Sequence, residues 1–293
     1  MTKAQATPTV VIANLARRLK SRRLELGLTP EQLADKTGLN PHQIQKLEMG
    51  ELDVAIGALV SIALALGVTV TELFESSLST VIQRATPEQM LKNGRNTNAL
   101  LSFGLTPETL CHAIADTHIT LDALDEKLIE ADLPRLGGGT VELANLSSII
   151  GNLLGARIAH HSEGQFYRNR PHTFPDLLAA NKNSKKGIEI KVALEKNKPK
   201  GHLAKPGQYL TFRYILTTCK GFDRKKRGDI ATIWEVRCGF LSENDFSLSN
   251  TKGDSGKTAV ISTAAFRQMS LVYFDQTVCP YAIRSNKPYL DFN

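Results

Sequence analysis

Cysteine is scarce and scattered in this chain, and the missing spacings exclude whole classes of site. The four cysteines, Cys111, Cys219, Cys238 and Cys279, lie far apart and form no Cys-x-x-Cys pair. Neither a cysteine-held zinc nor a disulfide framework is therefore expected, and all four read as reduced, apolar core residues. Long apolar runs are missing as well: none approaches the roughly 20 residues that a membrane span needs. The N-terminus shows no apolar signal core either. These absences predict a soluble, cytoplasmic protein with no membrane partner.

Acidic residues run short only in the second half. The 293 residues carry 36 Lys/Arg and 29 Asp/Glu. Residues 1–78 hold eight of each sign, residues 79–139 five basic and eight acidic, and residues 140–293 twenty-three basic and thirteen acidic. The excess is densest in residues 181–230, with fourteen basic groups against four acidic ones. Such a surface suits a polyanion held by its phosphates, or serves solubility alone.

The first third reads as short helices. Val10 to Leu26 has helical periodicity through Ile12, Leu15, Leu19 and Leu26, and Gly27 ends it. Thr29 and Asn40 each stand before a proline, as caps for helices at Pro30–Lys36 and Pro41–Met49. A fourth helix, Ala55–Leu66, and a fifth starting at Thr69 complete a compact all-α bundle. Residues 24–34, Thr37-Gly38-Leu39, Ile44 to Glu51, Ala63 to Val68 and Leu73-Phe74 together resemble the Cro and lambda-repressor (XRE-type) helix-turn-helix family. The resemblance covers about residues 11–75. It implies that Pro41 to Lys46 open a recognition helix, with His42, Gln43, Gln45 and Lys46 reaching base edges of double-stranded DNA. Asn40 and Gln32 would then meet phosphates.

Residues 79–139 read as an acidic helical linker or dimerisation segment. Helix starts at Thr86, Thr106 and Thr120 predict two or three helices, such as Pro107–Asp116 and Leu121–Asp132. Pro134 and Gly137-Gly138-Gly139 mark a flexible boundary. Beyond it, residues 140–293 read as a third region, an α/β domain with a mixed central sheet. A helix at Thr140–Ile158 leads it, with Glu142 in line with Leu146, Ile149 and Leu153. Strand-like runs follow at 173–180, 187–192, 208–218, 230–241, 260–263 and 269–274, with a long polar loop at 244–257.

Within that region one constellation carries chemistry. Pro175-Asp176 is followed, after residues 177–188, by Glu189-Ile190-Lys191. If both arms are strands, the polar stretch 181–187 makes a hairpin that brings Asp176 near Glu189. Strict alternation then puts Glu189 and Lys191 on one face and Ile188, Ile190 and Val192 on the other. Glu142 is either a first-turn charge favoured by the helix dipole or a third acid. His160, His161, His172 and His202 fit no histidine-nuclease spacing and read as surface residues.

The order of helix with acid, Pro-Asp and Glu-x-Lys resembles the PD-(D/E)xK nucleases, of which type II restriction endonucleases are members. The resemblance implies a restriction-endonuclease-like fold and a catalytic set of Asp176, Glu189, Lys191 and Glu142. It further implies Mg2+ held by Asp176, Glu189 and the Ile190 carbonyl, and no small-molecule cofactor. Lys191 would hold the attacking water or a phosphate oxygen. His202 and Lys205 are expected to touch substrate phosphate, and the loops Lys220–Arg227 and Ser247–Lys257 to carry specificity. A homodimer would supply two cuts at a palindromic site. The competing expectation is a transcriptional regulator whose C-terminal domain binds an effector or oligomerises. DNA methyl transfer is disfavoured, because no glycine-rich loop follows a strand and no Pro-Cys or Asn-Pro-Pro-Tyr motif occurs.

Overall fold

A computed structural model of the chain describes residues 8–51, 55–74, 82–131, 133–181, 187–201, 204–249 and 258–281. They fall into two compact units, Met1–Val81 and Ile82–Asn293. The first is helical and the second is built on a mixed sheet. Among the described residues no helix is long and apolar enough to cross a membrane.

In the first unit α1 (Pro8–Glu25), α2 (Pro30–Thr37), α3 (Pro41–Glu48), α4 (Ile56–Leu66) and α5 (Val70–Phe74) follow in order. Cap chemistry sets their ends. Thr29 and Asn40 accept the N–H of Gln32 and Gln43, whose side chains accept the cap residue's own N–H in return. Gly38 ends α2 in the left-handed region at φ 73°, where a side chain would be strained. Leu19, Leu33, Ile44, Ile62 and Leu66 form the buried centre of the bundle. Arg23 of α1 grips Glu48 of α3 through two parallel bonds, one at 2.8 Å, and donates to the Leu28 carbonyl at 2.7 Å.

The second unit opens with α6 (Pro87–Met90), α7 (Thr97–Ser102), α8 (Pro107–Glu130) and α9 (Leu143–His161). Then come β1 (Phe166–Arg168), β2 (Leu177–Ala179), β3 (Ile188–Leu194), β4 (Lys200–Gly201), β5 (Gly207–Thr217) and β6 (Ile230–Leu241). The chain continues through β7 (Phe246–Ser249), β8 (Thr258–Ile261), α10 (Thr263–Gln268) and β9 (Ser270–Phe274). The main sheet has the order β1-β2-β3-β5-β6-β9, and a smaller one the order β4-β8-β7. Among the described residues of the main sheet, β3 and β5 alone pair in parallel; β1-β2, β2-β3, β5-β6 and β6-β9 are antiparallel.

One face of the main sheet packs on α8 and α9. Leu146, Ile150, Leu154 and Ile158 of α9, at four-residue spacing, join Leu110, Ile114 and Leu121 of α8 against Ile188, Ile190, Leu210 and Phe212. The helices of residues 87–130, which the sequence sets apart as a linker, thus share this core. The opposite face meets α10 and the small sheet through Tyr209, Leu241, Ile261, Phe266 and Met269. Between those apolar groups Arg213, Glu235 and Arg237 are buried together and ion-paired.

Several elements differ from expectation. α8 is one 24-residue helix and not two: the hydroxyls of Thr117 and Thr120 donate to the carbonyls of Ala113 and Asp116 inside it, so Thr120 does not cap a new start. The glycine stretch at 137–139 is packed at its first residue. Leu136 is buried with its N–H on Asp125 at 2.7 Å, and a Cβ on Gly137 would come within 2.3 Å of the Asp229 carbonyl. The arm expected as a strand over 173–180 pairs only at Leu177–Ala179. Of the loop at 244–257, Phe246–Ser249 is a strand against β8, and residues 250–257 lie outside the described residues. The strand expected to run to Thr263 stops at Ile261, because Ser262 caps α10 by accepting the Ala265 N–H.

Candidate functional site

The first unit offers the outer face of α3. Ile44 and Leu47 turn inward, which leaves His42 and Gln45 exposed and Gln43 and Lys46 partly so. Gln43 and Asn40 have one oxygen each committed to the cap, at 2.9 and 2.8 Å, and Gln32 is tied to Thr29 in the same way. The amide N–H2 groups of these three are what they offer outward, as donors to phosphate or base acceptors. The Arg23–Glu48 grip at the far end of α3 fixes its tilt against α1.

The second unit gathers the acids. Leu177 lies opposite Ile188 in the antiparallel β2–β3 pair, so Asp176, just before β2, meets the start of β3. Its N–H donates to Glu189 Oε2 at 3.2 Å, and its own Oδ2 accepts the Ile190 N–H at 2.8 Å. The Lys191 ammonium donates to Glu189 Oε1 on the same strand face. Glu189 is 8% exposed. Burial pushes its carboxyl above the ordinary range; Lys191 opposes the shift and the neighbouring Asp176 charge adds to it.

Neighbours without any signature in the sequence hold this arrangement. Asn169, after β1, donates its backbone N–H to the Asp176 carbonyl at 2.9 Å and its side-chain amide to the Pro175 carbonyl at 2.8 Å. Two adjacent carbonyls are thereby clamped by one residue. Gly187 leaves room for Pro175, whose Cγ would stand 2.2 Å from a Cβ there. Tyr209, in register with Glu189 on β5, closes the sheet side. Burial, then the Glu189 charge, pushes its phenol up to about 12. Such contacts join distant segments, and only a run of alternating strand residues hinted at Tyr209.

Of the expected site residues, Asp176, Glu189, Ile190 and Lys191 come together, and Lys205 sits close by with its ammonium 5.1 Å from the Phe174 ring centre. Glu142 does not join them. It precedes α9 with an exposed side chain, and the next residue's carbonyl accepts the Tyr214 hydroxyl at 3.3 Å. Tyr214 is in register with Leu194, five residues along β3 from Glu189, or roughly 16 Å at about 3.3 Å per residue. α9 also lies on the opposite sheet face, so the helix directs Glu142 away from the pair. His202 lies outside the described residues. His160 and His161 end α9, with His161 bonded to Asp116 at 2.8 Å, and His172 is exposed. Among the described residues no three His, Cys, Asp or Glu side chains gather as a metal-ligand set.

The helix-turn-helix family matches residues 19–73. Residues 19–73 are a helix-turn-helix domain. Among solved structures, the clp gene regulator ClgR from Corynebacterium glutamicum is 30% identical over 22% of this chain and 67% of its own, with a TM-score of 0.21. The restriction-modification controller protein C.AhdI from Aeromonas hydrophila is 30% identical over 22% of this chain and 96% of its own, with a TM-score of 0.21. The master regulator for biofilm formation SinR, solved in complex with DNA, is 27% identical over 20% of this chain and 95% of its own, with a TM-score of 0.20. No curated protein matches the chain.

Proposed function

We propose that the helix-turn-helix domain reads double-stranded DNA through the outer face of α3, and that the second unit hydrolyses its phosphodiester bonds. The observation that carries the hydrolytic part is the convergence of the Asp176 and Glu189 carboxylates where β2 meets β3, Glu189 accepting the Asp176 N–H and Asp176 accepting the Ile190 N–H, with Lys191 on the same face. Two adjacent carboxylates repel, and a hard cation is the natural partner for them. Mg2+ suits this donor set because it takes few carboxylates and keeps waters and substrate phosphate as its other ligands. Asp176 and Glu189 would hold it, with the Ile190 carbonyl beside them. Bound there, the cation supplies a more acidic water and offsets charge developing on the phosphate. Lys191 would exchange Glu189 for a phosphate oxygen or the attacking water. The mixed sheet with α9 on one face agrees with a restriction-endonuclease-like fold, and a homodimer would present one site to each strand.

Incubation with plasmid DNA and Mg2+ tests this function. Discrete fragments are expected from the wild type. Asp176→Ala and Lys191→Ala are expected to lose at least about a hundredfold in cleavage while keeping DNA affinity, and a fully active Asp176→Ala protein sinks the site.

A transcriptional regulator is the second reading, and the family match at residues 19–73 favours it: that match accounts for DNA binding and asks for no chemistry. In that case the second unit binds an effector or oligomerises, and Asp176 and Glu189 are structural. Calorimetric titration with Mn2+ or Mg2+ separates the two, since only the nuclease loses its heat of binding in Asp176→Ala.

A further inference from the structure

Basic side chains collect along one part of the second unit, and its acids do not cancel them. The turn that leaves β3, with the β4 strand it leads into, carries Lys196, Lys198 and Lys200, all exposed and at alternate positions. It is a strap pinned at several points. Glu195 N–H donates to the Tyr214 carbonyl at 2.6 Å, Pro199 is buried, and the Pro199 carbonyl accepts the Ile261 N–H at 3.2 Å. Lys198 Nζ reaches Thr263 Oγ1 at 3.1 Å. The strap's end is at the acid pair: a Cβ on Gly201 would stand 2.9 Å from Cε of Lys191.

The β5–β6 hairpin adds exposed Lys220, Lys225 and Lys226. It is joined to the strap twice. Arg227 pairs with Glu195 at 3.3 Å. Arg224 donates to the Cys279 carbonyl at 3.3 Å, while Lys196 lies 5.1 Å from the ring centre of Tyr281, two residues on. The nearby acids are occupied: Glu195 by Arg227, Asp229 by Arg135 at 3.7 Å, and Asp223 by the Lys225 N–H. Among the described residues, none of the six lysines of strap and hairpin is ion-paired.

We propose that strap and hairpin form a second DNA-holding surface, separate from the helix-turn-helix, along which the phosphates of one strand run toward Asp176 and Glu189. The stretch of β3 beside the strap, Lys191 to Leu194, is roughly 10 Å long. One strand of a duplex presents a phosphate for about every 3.4 Å of helix axis, so a duplex lying along the strap offers about three of them. Lysines on exposed turns are point charges on flexible stems, suited to phosphates at any sequence and not to reading bases. The inference rests on the DNA reading of the chain and not on cleavage.

The test is the salt dependence of binding to a 30-base-pair duplex, with metal chelated so that cleavage plays no part. The full chain is compared with Lys196→Gln/Lys198→Gln/Lys200→Gln, and with Lys92→Gln/Lys127→Gln as a control distant in sequence. Each lost phosphate contact flattens the plot of log affinity against log salt by about 0.9. The strap variant is expected to be flatter by about 2 to 3 and to bind about tenfold or more weakly in 0.1 M salt, at unchanged melting temperature. The control keeps the wild-type slope. An unchanged slope in the strap variant overturns the proposal, and so does an equal fall per charge in the control. A chain that cleaves nothing yet shows the strap effect overturns the nuclease and leaves this surface standing.

Discussion

His118 shows how much one buried side chain can decide. It lies on α8 at 2% exposure, and its Nε2 accepts the Ile233 N–H of β6 at 3.0 Å. A second proton would break that bond, and burial, with the Arg84 charge nearby, holds its pKa well below the ordinary 6.5. The unfolded chain takes up a proton below about pH 6.5 and the folded one does not. Stability from this residue is therefore whole above that pH and is lost as pH falls, by up to about 1.4 kcal/mol per unit. Urea unfolding of the second unit between pH 8 and 5 is expected to show that slope. His118→Gln, which keeps an acceptor, is expected to flatten it; parallel curves for the two proteins speak against the assignment. Nothing in the sequence around His118 marks it, because its partner is 115 residues away. Asp176, Glu189 and Lys191 were legible for the opposite reason: a short hairpin and a period of two bring them together locally. Asn169 and the buried Arg213, Glu235 and Arg237 were not, since charges at alternate strand positions look the same whether the face is wet or covered.

Among elements, those with their own start and stop chemistry could be read directly. Thr29-Pro30, Asn40-Pro41 and Gly38 bracket α2 and α3 with no help from the rest of the fold. α8 could not be read so, as a threonine caps or continues a helix according to what packs on it. β1, β4 and β7 are too short for any periodicity and exist through their partners. The β2–β3 hairpin depends on one tight contact between elements, Gly187 against Pro175. Gly187→Ala places a methyl 2.2 Å from Pro175 Cγ and 2.8 Å from the Leu177 carbonyl. Such overpacking costs about 1–3 kcal/mol, and relief requires the Pro175–Asp176 corner to lift from β3. A lower melting temperature together with weakened Mn2+ binding is expected; a variant that melts and binds as the wild type rules the contact out as a determinant.

The whole molecule is two units with separate cores, one neutral and one strongly basic. Each core closes on its own residues, so scanning calorimetry is expected to show two transitions, the smaller belonging to Met1–Val81. A single transition with equal calorimetric and van't Hoff enthalpies contradicts that independence. The division into a helical bundle and a mixed sheet was legible from periodicity and caps. The membership of residues 87–130 in the sheet's core was not, because an amphipathic helix does not name the surface it covers.

The face that bears Glu189 and Lys191 is covered in part by α10, which follows β3 by about seventy residues, and β9 then adds the edge strand beside β6. During synthesis α10 leaves the ribosome well after the helical bundle and β3 have done so. A nascent chain can therefore fold its helical bundle long before its acid face is complete.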